Sequence, residues 1–158
     1  MKQQERIYVR RADTGDLDEV AAVWHASASR MDAAPDAMPS LQDLRDRIDA
    51  ELAAGWELHV AERGGRIVGM LALKRDEAVL DQIFVVPGEQ RSGIGTALLA
   101  AAKGAMPGGF TLRMAAANER AARFYRAAGL NVSGAGTHPV SGIPVRFYEW
   151  KGGARPDL

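Results

Sequence analysis

The chain of 158 residues predicts an α/β (α+β) fold, one mixed and mainly antiparallel sheet of six to seven strands flanked by about four helices. Three observations predict it. Apolar residues recur at helical spacing in two early segments, Leu17, Val20, Ala21 and Trp24, then Leu41, Leu44, Ile48 and Leu52. Two apolar runs flank Gly64-Gly65 in "WELHVAERGGRIVGMLALKRD", a hairpin signal. Finally, "AVLDQIFVV", a helical stretch and "GFTLRMAA" form a strand–helix–strand unit, whose two strands must run parallel.

In chain order, "RIYVRRA" alternates Ile7 and Val9 with polar positions, the pattern of a half-buried strand. Asp13 or Thr14 is placed to cap the first helix, and Ser40 the second. "SASRMDAAPDAMPS" between them, with two prolines, reads as a loop. "AVLDQIFVV" is almost continuously apolar and belongs at the centre of the sheet. On it, period-two alternation puts Val79, Asp81, Ile83 and Val85 on one face, and Leu80, Gln82 and Phe84 on the other. A helix is expected over about Ile94 to Ala105, another in "NERAARFYRAAG", a weak strand near "LNVSG" and a last one at "VRFYEWK". The whole reads as one domain over 1–158, with about 1–5 and 152–158 as flexible tails.

Hydrophobic residues at 47% and charged residues at 25% are ordinary for a globular protein. A formal net charge of zero speaks against nucleic acid or an anionic membrane as a bulk electrostatic partner. The absence of cysteine excludes disulfides, thiolate metal sites and a cysteine-bound intermediate. His25, His59 and His138 are scattered, so no metal site is expected. The first residues carry no apolar leader, and a cytoplasmic location is the default expectation.

The distinctive stretch is "VVPGEQRSGIGTALLAAA", where a β-branched run stops at Pro87 and a loop with Gly93 and Gly95 opens a helix. A helix N-terminus presents unpaired N–H groups and a positive dipole end, and glycine lets an anion approach the amides directly. Thr96 adds a hydroxyl. The plainer account is a tight strand-to-helix turn. A P-loop would need lysine before Thr96, and a dinucleotide fingerprint would need a small residue where Leu98 stands and an acid after "RMAAA". Both fit poorly. In "NERAARFYRAAGL", Asn118 and Tyr125 lie two turns apart, with Ala121, Phe124 and Ala128 as an apolar stripe; an ordinary amphipathic helix capped by Asn118 accounts for that pattern too.

Taken together, "DQIFVVPGEQRSGIGTALL" and "NERAARFYRAAGL" resemble the two cofactor motifs of the GCN5-related N-acetyltransferase (GNAT) superfamily. Gln90-Arg91-Ser92-Gly93-Ile94-Gly95 matches the Gln/Arg-x-x-Gly-x-Gly/Ala pattern, and Leu130 stands where phenylalanine is more usual. The specific motifs cover about Leu80 to Leu130. The resemblance implies acetyl-CoA as acyl-donor cosubstrate, its pyrophosphate on Gln90, Arg91, Ser92, Gly93, Ile94, Gly95 and Thr96, and its pantetheine arm near Asn118. It implies Tyr125 as the acid that protonates the departing thiolate, and amides at Phe84 and Val85 as donors to the thioester carbonyl. The glutamate base frequent in the family falls on Val79 here, a departure; Asp81, where some relatives carry a histidine, is the candidate base, with ordered water as the other reading. A carboxylate among apolar neighbours suits that role, though it would equally suit an ion pair with a neighbouring strand.

The function implied is N-acetyl transfer to a primary amine of a small molecule or peptide by direct attack in a ternary complex. The alternative is a noncatalytic acetyl-CoA-binding domain. Acceptor-wall candidates are Trp24, Arg30, Met31, His138, Arg146 and Tyr148, and a homodimer is possible on the family's pattern.

Overall fold

The computed structural model describes residues 6–28, 39–89 and 92–153. Strand β1 (Tyr8–Arg11) leads through a 3-10 turn at Thr14–Asp16 into α1 (Leu17–Ala28). The second helix, α2 (Leu41–Ala53), opens on Ser40, whose hydroxyl accepts the Asp43 N–H while the Asp43 carboxylate accepts the Ser40 N–H. Two otherwise orphaned donors are satisfied there reciprocally. Strands β2 (Glu57–Arg63), β3 (Arg66–Lys74) and β4 (Val79–Val85) form the antiparallel meander. Then follow α3 (Ile94–Ala105), β5 (Phe110–Ala115), α4 (Glu119–Ala127), β6 (Asn131–Thr137) and β7 (Pro144–Trp150).

The seven strands make one sheet in the order β1-β2-β3-β4-β5-β7-β6, antiparallel everywhere except between β4 and β5. Every element read from the sequence is present. Among the described residues no helix is long and apolar enough to cross a membrane.

The sheet separates two apolar layers. On one face Ile94, Leu98, Leu99 and Ala102 of α3 and Ala122 and Tyr125 of α4 pack on Leu71, Leu73, Leu80, Leu112 and Tyr148. On the other, Val20, Val23 and Trp24 of α1 and Leu44 and Ile48 of α2 cover Leu58, Val60, Met70 and Ala72. Leu98 and Ile48 are fully buried, and truncating either to alanine costs about 2–5 kcal/mol through lost burial and the cavity left behind.

Two irregularities of β4 shape the centre of the molecule. Ala72 pairs with Gln82 but Leu73 pairs with Leu80, so Asp81 is an extra residue in the ladder, a β-bulge. The expected alternation breaks there. Leu80 joins Ile83 and Val85 against the α3 and α4 layer, whereas Asp81 turns to the α1 and α2 layer with Phe84. The face assignment of the sequence reading is corrected accordingly. The second irregularity is that β4 and β5 pair only at Val79 and Thr111, beside a bond from Thr111 N–H to the Ala78 carbonyl at 3.0 Å. Beyond that point the strands separate, consistent with the added twist a bulge introduces.

Candidate functional site

The separation of β4 from β5 leaves backbone groups of a central strand without a neighbour. Val86 N–H donates to the Val68 carbonyl at 2.9 Å, and Phe84 pairs with Met70 in the same register. In an antiparallel ladder, alternate residues bond to the partner. Ile83 and Val85 therefore turn their N–H groups away from β3, toward the gap that β5 has left. Of the two expected amide donors, Phe84 belongs to the β3 ladder and Val85 faces the gap. The Val85 carbonyl faces the same way, where it accepts the Ser27 hydroxyl of α1 at 2.9 Å. Ser27 is 7% exposed, a polar side chain set deep in the α1 end of the cleft.

At the top of β4 the chain turns sharply. Glu89 N–H returns to the Val86 carbonyl at 3.0 Å around Pro87-Gly88, and the Glu89 carboxylate is held by Arg63 and Arg66. The Ser92 hydroxyl donates to the Glu89 carbonyl. Gln90 and Arg91, two of the expected pyrophosphate contacts, lie outside the described residues. Gly93 is the N-cap of α3 with φ 88°, a left-handed conformation that favours glycine, and it supplies no side chain to the helix end. The amides of Ile94, Gly95 and Thr96 in the first turn are left for another acceptor. Space beside Gly93 is open, since a Cβ built there meets nothing within 4 Å. Gly95 has a different reason to lack a side chain: a Cβ there would stand 3.3 Å from Cζ of Phe124. Close packing of α3 on α4 thus explains Gly95, and an open, uncapped helix end explains Gly93.

Asn118 caps α4 by accepting the Ala121 N–H on Oδ1 at 3.1 Å. The plain structural account of that oxygen therefore holds, and its amide NH2 remains a donor at the mouth of the gap. Tyr125 lies two turns beyond Asn118, on the helical line that Ala122 continues. It is 7% exposed and, with Ala122, forms the buried line of α4, flanked by Ala121, Phe124 and Ala128. Its ring lies 5.3 Å from Phe124 and 6.0 Å from Tyr148. Desolvation pushes the phenol well above its ordinary value, so the hydroxyl keeps its proton throughout the neutral range. Tyr148, an acceptor-wall candidate, is completely buried in this layer, its hydroxyl without a hydrogen-bond partner.

On the opposite face, the Asp81 carboxylate accepts the Trp56 Nε1–H at 2.9 Å, and no cation pairs with it among the described residues. The ion-pair alternative for Asp81 is thereby set aside. The Trp24 ring stands 5.7 Å from Trp56 and 6.3 Å from Phe84, and Arg47 lies over it at 5.3 Å. A carboxylate is thus held by one indole beside an apolar wall. Arg30 and Met31 lie outside the described residues, and Arg146 is an exposed residue of β7. Among the described residues no group of three His, Asp or Glu side chains is arranged to hold a metal.

Sequence reading missed Ser27, Trp56, Arg47 and Arg113. Ser27 sits in a segment read as loop, whereas α1 runs on to Ala28. Arg113 was legible in the alternation of Leu112 and Met114 on β5, which leaves it facing the other way. Nothing local signals that Trp56 meets Asp81, because the contact spans the β2–β4 fold.

The acetyltransferase (GNAT) domain family matches residues 22–149. No curated protein matches the sequence. Among solved structures, apo-form YjaB from Escherichia coli is 22% identical, with TM-score 0.72 over 94% of this chain and 99% of that one. A GCN5-related N-acetyltransferase from Rhodopseudomonas palustris is 19% identical, with TM-score 0.75 over 96% and 99%. The protein yncA from Salmonella typhimurium, solved with its cofactor acetyl-CoA, is 16% identical, with TM-score 0.66 over 96% and 98%. At these identities the likeness is one of fold.

Proposed function

The chain belongs to the acetyltransferase (GNAT) domain family, and on that premise we propose that it moves an acetyl group from acetyl-CoA to a primary amine of a small molecule or peptide, by direct attack in a ternary complex. The observation that carries this reading is the juxtaposition of two sets of unused backbone donors. One is the uncapped N-terminus of α3 at Gly93, and the other is the β4 edge at Val85, exposed where β5 diverges. The donor set suits a ligand with a phosphate at one end and a carbonyl at the other.

Bound there, acetyl-CoA would supply an activated acetyl thioester. The amides of Ile94, Gly95 and Thr96 hold its pyrophosphate, with Gln90, Arg91 and Ser92 alongside, and the Asn118 amide reaches the pantetheine arm. Val85 N–H donates to the carbonyl oxygen and stabilises the charge that develops on it. Asp81, directly or through water, takes the proton that the attacking amine must lose. As the new C–N bond forms and the C–S bond breaks, Tyr125 gives its proton to the departing sulfur. Desolvation keeps the phenol protonated at neutral pH, the state a proton donor starts from, and argues against a base role.

Thiol release from acetyl-CoA across a panel of primary amines tests the proposal. It predicts amine-dependent release and initial-rate lines that intersect when both substrates are varied, as a ternary complex requires. Parallel lines would contradict direct attack, and a protein that binds acetyl-CoA but releases no thiol with any amine would contradict catalysis.

A further inference from the structure

We propose that the acceptor amine also carries a carboxylate, which is held by Arg113 beside the His138 imidazole on the α1 and α2 side of the cleft. This rests on the acetyltransferase reading above and names the acceptor class that the reading leaves open.

Phe110, Leu112 and Met114 point into the α3 and α4 layer, so Arg113 projects from the other face, the one that Asp81 and Phe84 share on β4. Helix α1 packs on β3 and β4, and among the described residues Arg113 and Arg146 on β5 and β7 are exposed. Arg113 has no carboxylate partner among the described residues; its Nη2 lies 3.4 Å from His138 Nε2.

That contact is informative because of what fixes the imidazole. His138 Nδ1 accepts two backbone N–H groups, from Val140 at 3.1 Å and Ser141 at 3.2 Å. Nδ1 therefore carries no proton, and a neutral ring carries it on Nε2. Arg113 and His138 consequently present two donors to each other with no acceptor between them. Two oxygens of a carboxylate supply what both donors lack.

Arg47 stands on α2, which packs on the same side of the sheet. Its guanidinium lies over Trp24, which in turn stacks toward Phe84 at the gap, and Glu51 at 3.4 Å offsets part of its charge. Partial burial first, then the charges of Arg113 and Arg47, hold the His138 imidazole below its ordinary value. With Asp81 as the proton acceptor nearby, the cleft has an acidic end for the amine and a basic end for its anionic group.

The test uses the full chain. Acetyl-CoA binding is measured first by calorimetry; its absence would remove the acetyltransferase reading and this proposal with it. Amino acids with one to four carbons between amine and carboxylate are then compared with their carboxamides by thiol release at saturating acetyl-CoA. A charged hydrogen-bond pair predicts a kcat/KM at least about tenfold higher for the acid than for the amide in the best-fitting pair, expressed mainly in KM. Arg113→Gln is expected to erase that difference and to raise the titration midpoint of His138, read by its ring proton resonances. In the unaltered protein the preferred acid raises the same midpoint and its amide does not. Acids and amides acetylated equally well across the panel, with acetyl-CoA bound normally, would overturn the proposal alone. A preference that survives in Arg113→Gln would do the same.

Discussion

At Tyr125 burial and chemistry act together. The ring is part of the α4 packing line, and under the proposed mechanism its hydroxyl supplies the proton to the sulfur. Tyr125→Phe keeps the packing and removes the proton, so kcat is expected to fall about 10²-fold or more with acetyl-CoA affinity nearly unchanged; equal losses in both would mean that the hydroxyl only binds. Because burial raises this phenol rather than lowering it, kcat should show no descending limb up to about pH 10. A fall near pH 8, absent in Tyr125→Phe, would contradict the assignment. The two glycines of the loop separate in the same way. Gly93→Ala places a Cβ in a left-handed conformation and should cost about 1–2 kcal/mol by denaturant unfolding. Gly95→Ala sits at ordinary helical φ and gains about 1 kcal/mol of helix propensity against crowding of Phe124, so its stability should change little.

Between elements, the bond from Ser27 to the Val85 carbonyl joins the end of α1 to the edge of β4. Ser27→Ala removes this partner from the part-buried Val85 carbonyl and is expected to cost about 1 kcal/mol. Ser27→Thr, which keeps the hydroxyl, should recover most of it in the same thermal melt. The strands and helices themselves were readable because their signals are local. Apolar period, a glycine pair between strands, and Ser40 followed by Asp43 each fix one element. The bulge at Asp81 was not readable, since a ladder irregularity depends on which partner each strand meets; the consecutive polar pair Asp81-Gln82 in an apolar run is its only trace. For that reason the sequence pattern puts Asp81 on the face of Ile83 and Val85, whereas the fold puts it beside Trp56. The same limit explains Arg113, whose contact with His138 exists only once β5 and the turn before β7 are brought together.

Across the whole molecule, a net charge of zero conceals local asymmetry that pH will expose. The His138 imidazole is held below its ordinary value of 6.5 in the folded protein. As pH falls through 6.5 the unfolded chain takes a proton first, so this residue's contribution is lost between 6.5 and its depressed folded value. The Asp16 carboxyl is held below 3.8 chiefly by its hydrogen bond from Arg10, and that contribution persists to lower pH before it too is lost. Urea midpoints should therefore drop between pH 7 and pH 5 by more in the unaltered protein than in His138→Asn. Equal drops would place the titration elsewhere.

The central claim is that the gap between β4 and β5, together with the bare end of α3, is a site for acetyl-CoA. Calorimetric titration of the folded chain with acetyl-CoA, run beside NADH as a second phosphate-bearing ligand, tests it most directly. The account predicts saturable one-to-one binding of acetyl-CoA and none of NADH. A folded protein that binds neither, or binds both alike, would contradict it.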